Sequence, residues 1–199
     1  MLRLAVVCAF VGLTSMADAA PLKVVNAEGQ LTGLKGVTAG GLVYDVMFDD
    51  GSCVDVFSGC DGSEDFLFDT EEEARTLAEA VLDGVDDGPL GAFDSDPGLT
   101  FGCDRGATQC RVLFPFALNS SGLNVRAVPA ANWPVEADDN TIGVQGPRTA
   151  IALSANGGDV YGVATQVGIV PAPAAGWLLL SGCVALAALR KRRAPAAFA

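Results

Sequence analysis

Between Gly41 and Asp49 the chain alternates, placing Leu42, Tyr44, Val46 and Phe48 on one face with the period of two that marks a half-buried strand. Asp50-Gly51 follows as a hairpin signal, so Ser52–Phe57 is expected as the returning strand. The period then changes. Thr70 and Glu73 form a capping box, Glu71–Glu73 fill the first turn, and apolar residues recur at Ala74, Leu77, Ala78, Val81, Leu82 and Val85. This predicts one amphipathic helix, closed near Asp83-Gly84, with Gly88-Pro89 beyond it. Strand-like runs follow at Leu99–Cys103, Cys110–Leu118, Leu123–Val128, Thr149–Ser154 and Val160–Gln166. Turn-rich stretches such as Asn119-Ser120-Ser121-Gly122 and Asn156-Gly157-Gly158-Asp159 separate them. The pattern predicts a small, mainly antiparallel α+β domain with one helix, spanning residues 20–167, its patterned elements beginning near residue 28.

The charge is uneven along the chain. Of 24 acidic and 12 basic residues, the stretch Ala20–Val170 holds 23 acidic and 7 basic, a net charge of 7 − 23 = −16. So acidic a middle excludes nucleic acid as a partner, because phosphate contacts need Lys and Arg to release counterions. The chain contains no histidine, which excludes Ser-His and Cys-His catalysis and His-ligated metal sites. Neither a G-x-S-x-G elbow, nor a G-x-G-x-x-G loop, nor a P-loop occurs.

Six cysteines divide by position: Cys8 near the start, Cys183 near the end, and Cys53, Cys60, Cys103 and Cys110 in the middle. The middle four form two C-x6-C spacings, unlike the C-x2-C of zinc and redox sites. Four cysteines allow three pairings. The equal spacings favour Cys53–Cys60 with Cys103–Cys110, each closing a loop worth roughly 2.5 kcal/mol in the chain-entropy model. A reactive thiol pair is disfavoured at Cys53 and Cys60, which have no neighbouring cation to lower a thiol pKa; Arg105 and Arg111 weaken that argument for the second pair.

Both ends read as membrane-directed. Residues 1–19 combine Arg3, an apolar stretch Leu4–Leu13, and small residues Ala17 and Ala19, the pattern of a secretory signal peptide cleaved between Ala19 and Ala20. Export through the secretion machinery and signal peptidase follows as an expectation. At the other end Ile169–Leu189 carries no charge and Arg190, Lys191, Arg192 and Arg193 follow at once. The positive-inside bias keeps that cluster in the cytoplasm and the acidic middle on the far side. Pro171 and Pro173 limit the helix to Ala174–Leu189, about 24 Å at ~1.5 Å per residue, which is short for a permanent span.

The segment Val170, Pro171, Ala172, Pro173, Ala174, followed by Trp177, a short apolar helix and the basic cluster, resembles the VPLPA variant of the PEP-CTERM sorting signals. The resemblance covers Val170–Arg193, with Ala172 where the family usually has Leu and Ala194–Ala199 beyond the cluster. It implies a substrate of an exosortase, a membrane protease that cuts near the proline motif. It also implies transient anchoring through the C-terminal helix (residues 168–199 being the sorting signal) and release or transfer to the surface or extracellular matrix. Proteins of this kind belong to Gram-negative bacteria and are often associated with exopolysaccharide or biofilm. The middle more loosely resembles PEP-CTERM ectodomains with Tyr44-Asp45-Val46, Asp50-Gly51-Ser52-Cys53 and Gly59-Cys60-Asp61, a likeness that brings no activity with it.

Carboxylates are the abundant chemistry. A non-enzymatic structural or binding role, without a cofactor, is the expectation. The acidic loops Asp86-Asp87, Asp94-x-Asp96 and Asp138-Asp139-Asn140 suit calcium in ligand type, although none completes an EF-hand. Two alternatives stand beside this reading. One is a matrix-polysaccharide hydrolase drawing its acid and nucleophile from Asp61, Glu64, Asp65 and Asp69. The other is a permanently anchored single-pass periplasmic protein.

Overall fold

Two short glycine turns and one long helix organise the first half of the chain. The computed structural model describes residues 20–135, 139–141, 143, 146–147, 149–153 and 157–170. The expected signal segment 1–19, Pro171–Ala174 of the expected sorting motif, the expected apolar helix and Arg190–Arg193 lie outside them. Strands β1 (Leu22–Val25), β2 (Leu31–Ala39) and β3 (Leu42–Asp49) form an antiparallel meander. The β2–β3 turn is Gly40-Gly41, both with positive φ (59° and 81°), where a side chain would strain the backbone.

A turn of helix, α1 (Cys53–Val56), and a crossing loop lead to α2 (Glu71–Gly84). After it come β4 (Cys110–Leu118), β5 (Val125–Asn132) and β6 (Asp159–Ile169). The sheet order is β1-β2-β3-β6-β4-β5. All neighbours are antiparallel except β4 and β6, which run parallel through the three pairs Arg111–Leu113 with Asp159–Tyr161. The domain is thus α+β and mainly antiparallel, as the periodicity predicts. Its last strand runs two residues past position 167, to Ile169.

One face of the sheet packs on α2, whose buried stripe Ala74, Leu77, Ala78 and Val81 meets Leu34, Val46, Phe114 and Val128. The other face carries a smaller core of Cys53, Cys60, Phe66, Leu113, Leu153 and Tyr161. The capping box expected at the start of α2 is present: the Thr70 hydroxyl accepts from the Glu73 amide while the Glu73 carboxylate accepts from the Thr70 amide.

Three predicted strands take another form. Ser52–Phe57 is not a hairpin return: the Ser52 carbonyl accepts from the Asp55 and Val56 amides, and the Ser52 hydroxyl bonds the Asp55 carboxylate, so the backbone coils into α1. The partners of β3 are β2 and β6 instead. Leu99–Cys103 is mostly turn, because Pro97 opens a 3-10 turn over Pro97–Leu99 and only Thr100 bridges to Leu31. In Thr149–Ser154 the described residues 149–153 form no strand; Leu153 plugs the second core and the Thr149 amide donates to the Leu123 carbonyl. Leu123–Val128 starts late, at Val125, and continues to Asn132. The alternation of β2 is hidden in the sequence by Gly33 and Gly36, the second lying at a register shift between Leu34 and Val37.

Candidate functional site

Both cysteine pairs close as the spacing predicts. Cys53–Cys60 and Cys103–Cys110 are disulfides with Cα–Cα distances of 5.7 and 5.9 Å. The first draws α1 against the second core, and its loop turns back through positive φ at Ser58, Gly59 and Cys60. The second belongs to the α2-side core. All four sulfur-bearing residues are buried, which suits staples and not exchanging thiols. Two such bonds are compatible with an exported protein.

The acidic loops that the sequence offered for calcium come together. Asp86, Asp87, Asp94, Asp139 and Asn140 join Glu79 and Asp83 of α2 around one cleft of about 630 Å3. Asp96 does not line it, and Asp138 lies outside the described residues. Several of these groups already have structural work. The Asp87 carboxylate accepts from the Ser95 hydroxyl at 2.7 Å and from the Asp94 and Ser95 amides at 3.0 and 3.1 Å. The Ser95 hydroxyl foremost, with those amides, holds Asp87 below the usual carboxylate range. Asp86 pairs with Lys23 of β1, and Asp139 accepts from the Trp133 amide at 2.6 Å. Among the described residues, no group of three or more carboxylates or cysteines is arranged to hold a metal ion. The cleft is an acidic wall, and its carboxylates do not converge on one point.

The acids proposed for hydrolysis sit on the loop between α1 and α2. Asp65 accepts from the Asp61 and Gly62 amides at 3.0 and 3.3 Å, fixing a 3-10 turn, while Asp61, Glu64 and Asp69 are exposed. Of the residues expected to form a sorting motif only Val170 is described; its amide donates to the Gly41 carbonyl at 3.0 Å. Ala20, on the far side of the predicted signal cut, is the first described residue and is exposed, whereas Ala17 and Ala19 lie outside. Among the described residues no helix is long and apolar enough to cross a membrane.

Sequence reasoning missed an ion pair across the parallel seam. Arg111 on β4 donates through Nε and Nη2 to both carboxylate oxygens of the buried Asp159 on β6, at 2.5 and 2.7 Å. Positions 48 residues apart leave no local signal for it. Next to this pair on β6, Tyr161 is fully buried, its hydroxyl has no partner among the described residues, and its ring is edge-on to Phe57 with centroids 5.3 Å apart. Neither a family model, nor a curated protein, nor a solved structure matches the chain.

Proposed function

We propose that this is an exported surface or matrix protein whose acidic, disulfide-stapled domain is delivered by a secretory signal and processed by an exosortase at the Val170–Ala174 motif. The observation that carries the reading is the order at the C-terminus: proline motif, short uncharged apolar stretch, four consecutive cations. A helix of ~24 Å spans poorly, so it suits a passing tether better than a lasting anchor. Two closed disulfides fit an oxidising destination. The domain is non-enzymatic in this reading, and its acidic surface keeps it soluble beside anionic polysaccharide while retaining divalent ions that bridge the two.

Mass spectrometry of the mature chain tests the proposal. The expected product starts at Ala20 and ends within or just after the motif, in cells that contain an exosortase. In cells lacking the enzyme the tail to Ala199 is retained at the membrane. The same trimmed product from both strains, or an intact tail on surface material, overturns it.

A further inference from the structure

The parallel seam between β4 and β6 stops after three residue pairs, and the reason is chemical. The Arg111 amide donates to the Gly158 carbonyl at 2.8 Å, so the main-chain groups of the even-numbered β6 residues face β4 as far as Gln166, beyond which the ladder with β3 shifts register. The next rung beyond Gly162 would need an amide on residue 115, and Pro115 has none. From there β6 keeps β3 on one side only. The carbonyl of Gly162 and the N–H and C=O groups of Ala164 and Gln166 therefore face away from β3, and among the described residues no main-chain partner meets them there.

The segment Asp65–Phe68 runs beside this edge, but Val160–Val170 contains neither a charged residue nor a proline to protect it. Beside it lies a cavity of about 300 Å3 between Gly162–Ala164 and the crossing segment Asp65–Phe68. A second space of about 270 Å3 reaches Gln166. Asp65 lines the first and Glu73 the second, and no Lys or Arg lines either among the described residues.

We propose that the open edge of β6 beyond Pro115 is a strand-addition site for an extended segment of another protein, with small apolar residues flanked by Lys or Arg. Alternating free donors and acceptors are complemented by an extended backbone, the apolar spaces take alternate side chains, and the two carboxylates select cationic flanks. The −16 charge of Ala20–Val170 disfavours a second copy as the occupant.

The probe is an acetylated heptapeptide, Lys-Val-Thr-Val-Thr-Val-Lys, added to the full chain in mild detergent. Its controls are a Glu-flanked counterpart and a version N-methylated on alternate amides. The cationic peptide is expected to bind roughly tenfold more tightly than the acidic one, and to slow exchange of the Ala164 and Gln166 amides by a similar factor. Ala164→Pro removes an N–H that no ladder uses, so it keeps the wild-type melting temperature and loses the peptide. Should that variant misfold, N-methylation makes the same test on the wild-type chain. No binding at millimolar peptide, equal binding of the N-methylated peptide, or protection that rises with protein concentration alone overturns the proposal, the last by naming a second copy as the occupant. None of these outcomes bears on the sorting tail.

Discussion

Tyr161 has no solvent exposure and, among the described residues, no partner for its hydroxyl, and both facts have thermodynamic consequences. Burial first, then the charge of Asp159, pushes its ionisation up to about 12. In the unfolded chain a tyrosine ionises near ~10. The folded state therefore keeps a proton that the unfolded chain releases, so this contribution is complete below about pH 10 and is lost as pH rises toward 12. Tyr161→Phe should flatten the fall in melting temperature across that window. At neutral pH the same change removes an unsatisfied polar group from the core and should stabilise by about 1 kcal/mol, measured by urea unfolding. A loss of stability would mean that the hydroxyl has a partner, such as a buried water. Substituting the neighbouring Asp159 should instead destabilise the fold. Asp159→Ala takes both carboxylate oxygens from the Arg111 guanidinium beside apolar strands, although its 29% side-chain exposure lets water replace part of the loss. The expected cost is about 3 kcal/mol, near the low end for broken buried pairs, and Arg111→Met with Asp159→Leu should recover most of it.

Among the elements, α2 was the most legible because every signal for it is local. Thr70, Glu73 and the Ala74–Val81 stripe lie within a dozen residues, and each plays its predicted part. Thr70→Ala removes the acceptor of the Glu73 amide and should cost about 1 kcal/mol, read as a lower urea midpoint at unchanged slope. Strands β4 and β6 were recognisable from continuous apolar runs for the same reason. What the chain concealed was pairing. Nothing near Asp50-Gly51 shows that β3 finds its second neighbour more than a hundred residues later, in β6. A hairpin signal there was overridden by Ser52 and by the buried Cys53 crosslink, which hold the chain in a helical turn. Gly33 and Gly36 likewise blurred β2, whose ladders with β1 and β3 both shift register. The candidate sites divide along the same line. The disulfides follow from spacing, whereas the acidic cleft assembles α2 with the loops around residues 87, 94 and 139, a convergence set by tertiary packing. Replacing either cysteine pair by serine should cost about 2.5 kcal/mol.

At the scale of the whole molecule, charge sets the behaviour. Lys23, Arg75, Arg111 and Arg126 each face a carboxylate, yet 23 acids over Ala20–Val170 far outnumber the cations, so the domain repels itself. Folding brings these acids closer together, and monovalent salt, by screening over a Debye length of ~10 Å at 0.1 M, should raise the melting temperature. Divalent ions separate two meanings of that acidity. If the cleft beneath α2 is only an acidic wall, calcium and magnesium should stabilise alike at equal ionic strength, gradually and without saturation below the millimolar range. A built calcium site would instead prefer calcium, because oxygen cages of seven or so ligands suit the larger ion, and would saturate in the micromolar range. The carboxylates of Asp86 and Asp87 are already engaged by Lys23 and by the residue-94–95 loop, and no group of three converges among the described residues. The diffuse response is therefore the expected one, read from thermal melts in matched calcium and magnesium series. Under the matrix role proposed above, such a domain would be a polyanion that exchanges ions freely, and its attachment to an anionic matrix should weaken as divalent ions are chelated and return when either ion is restored.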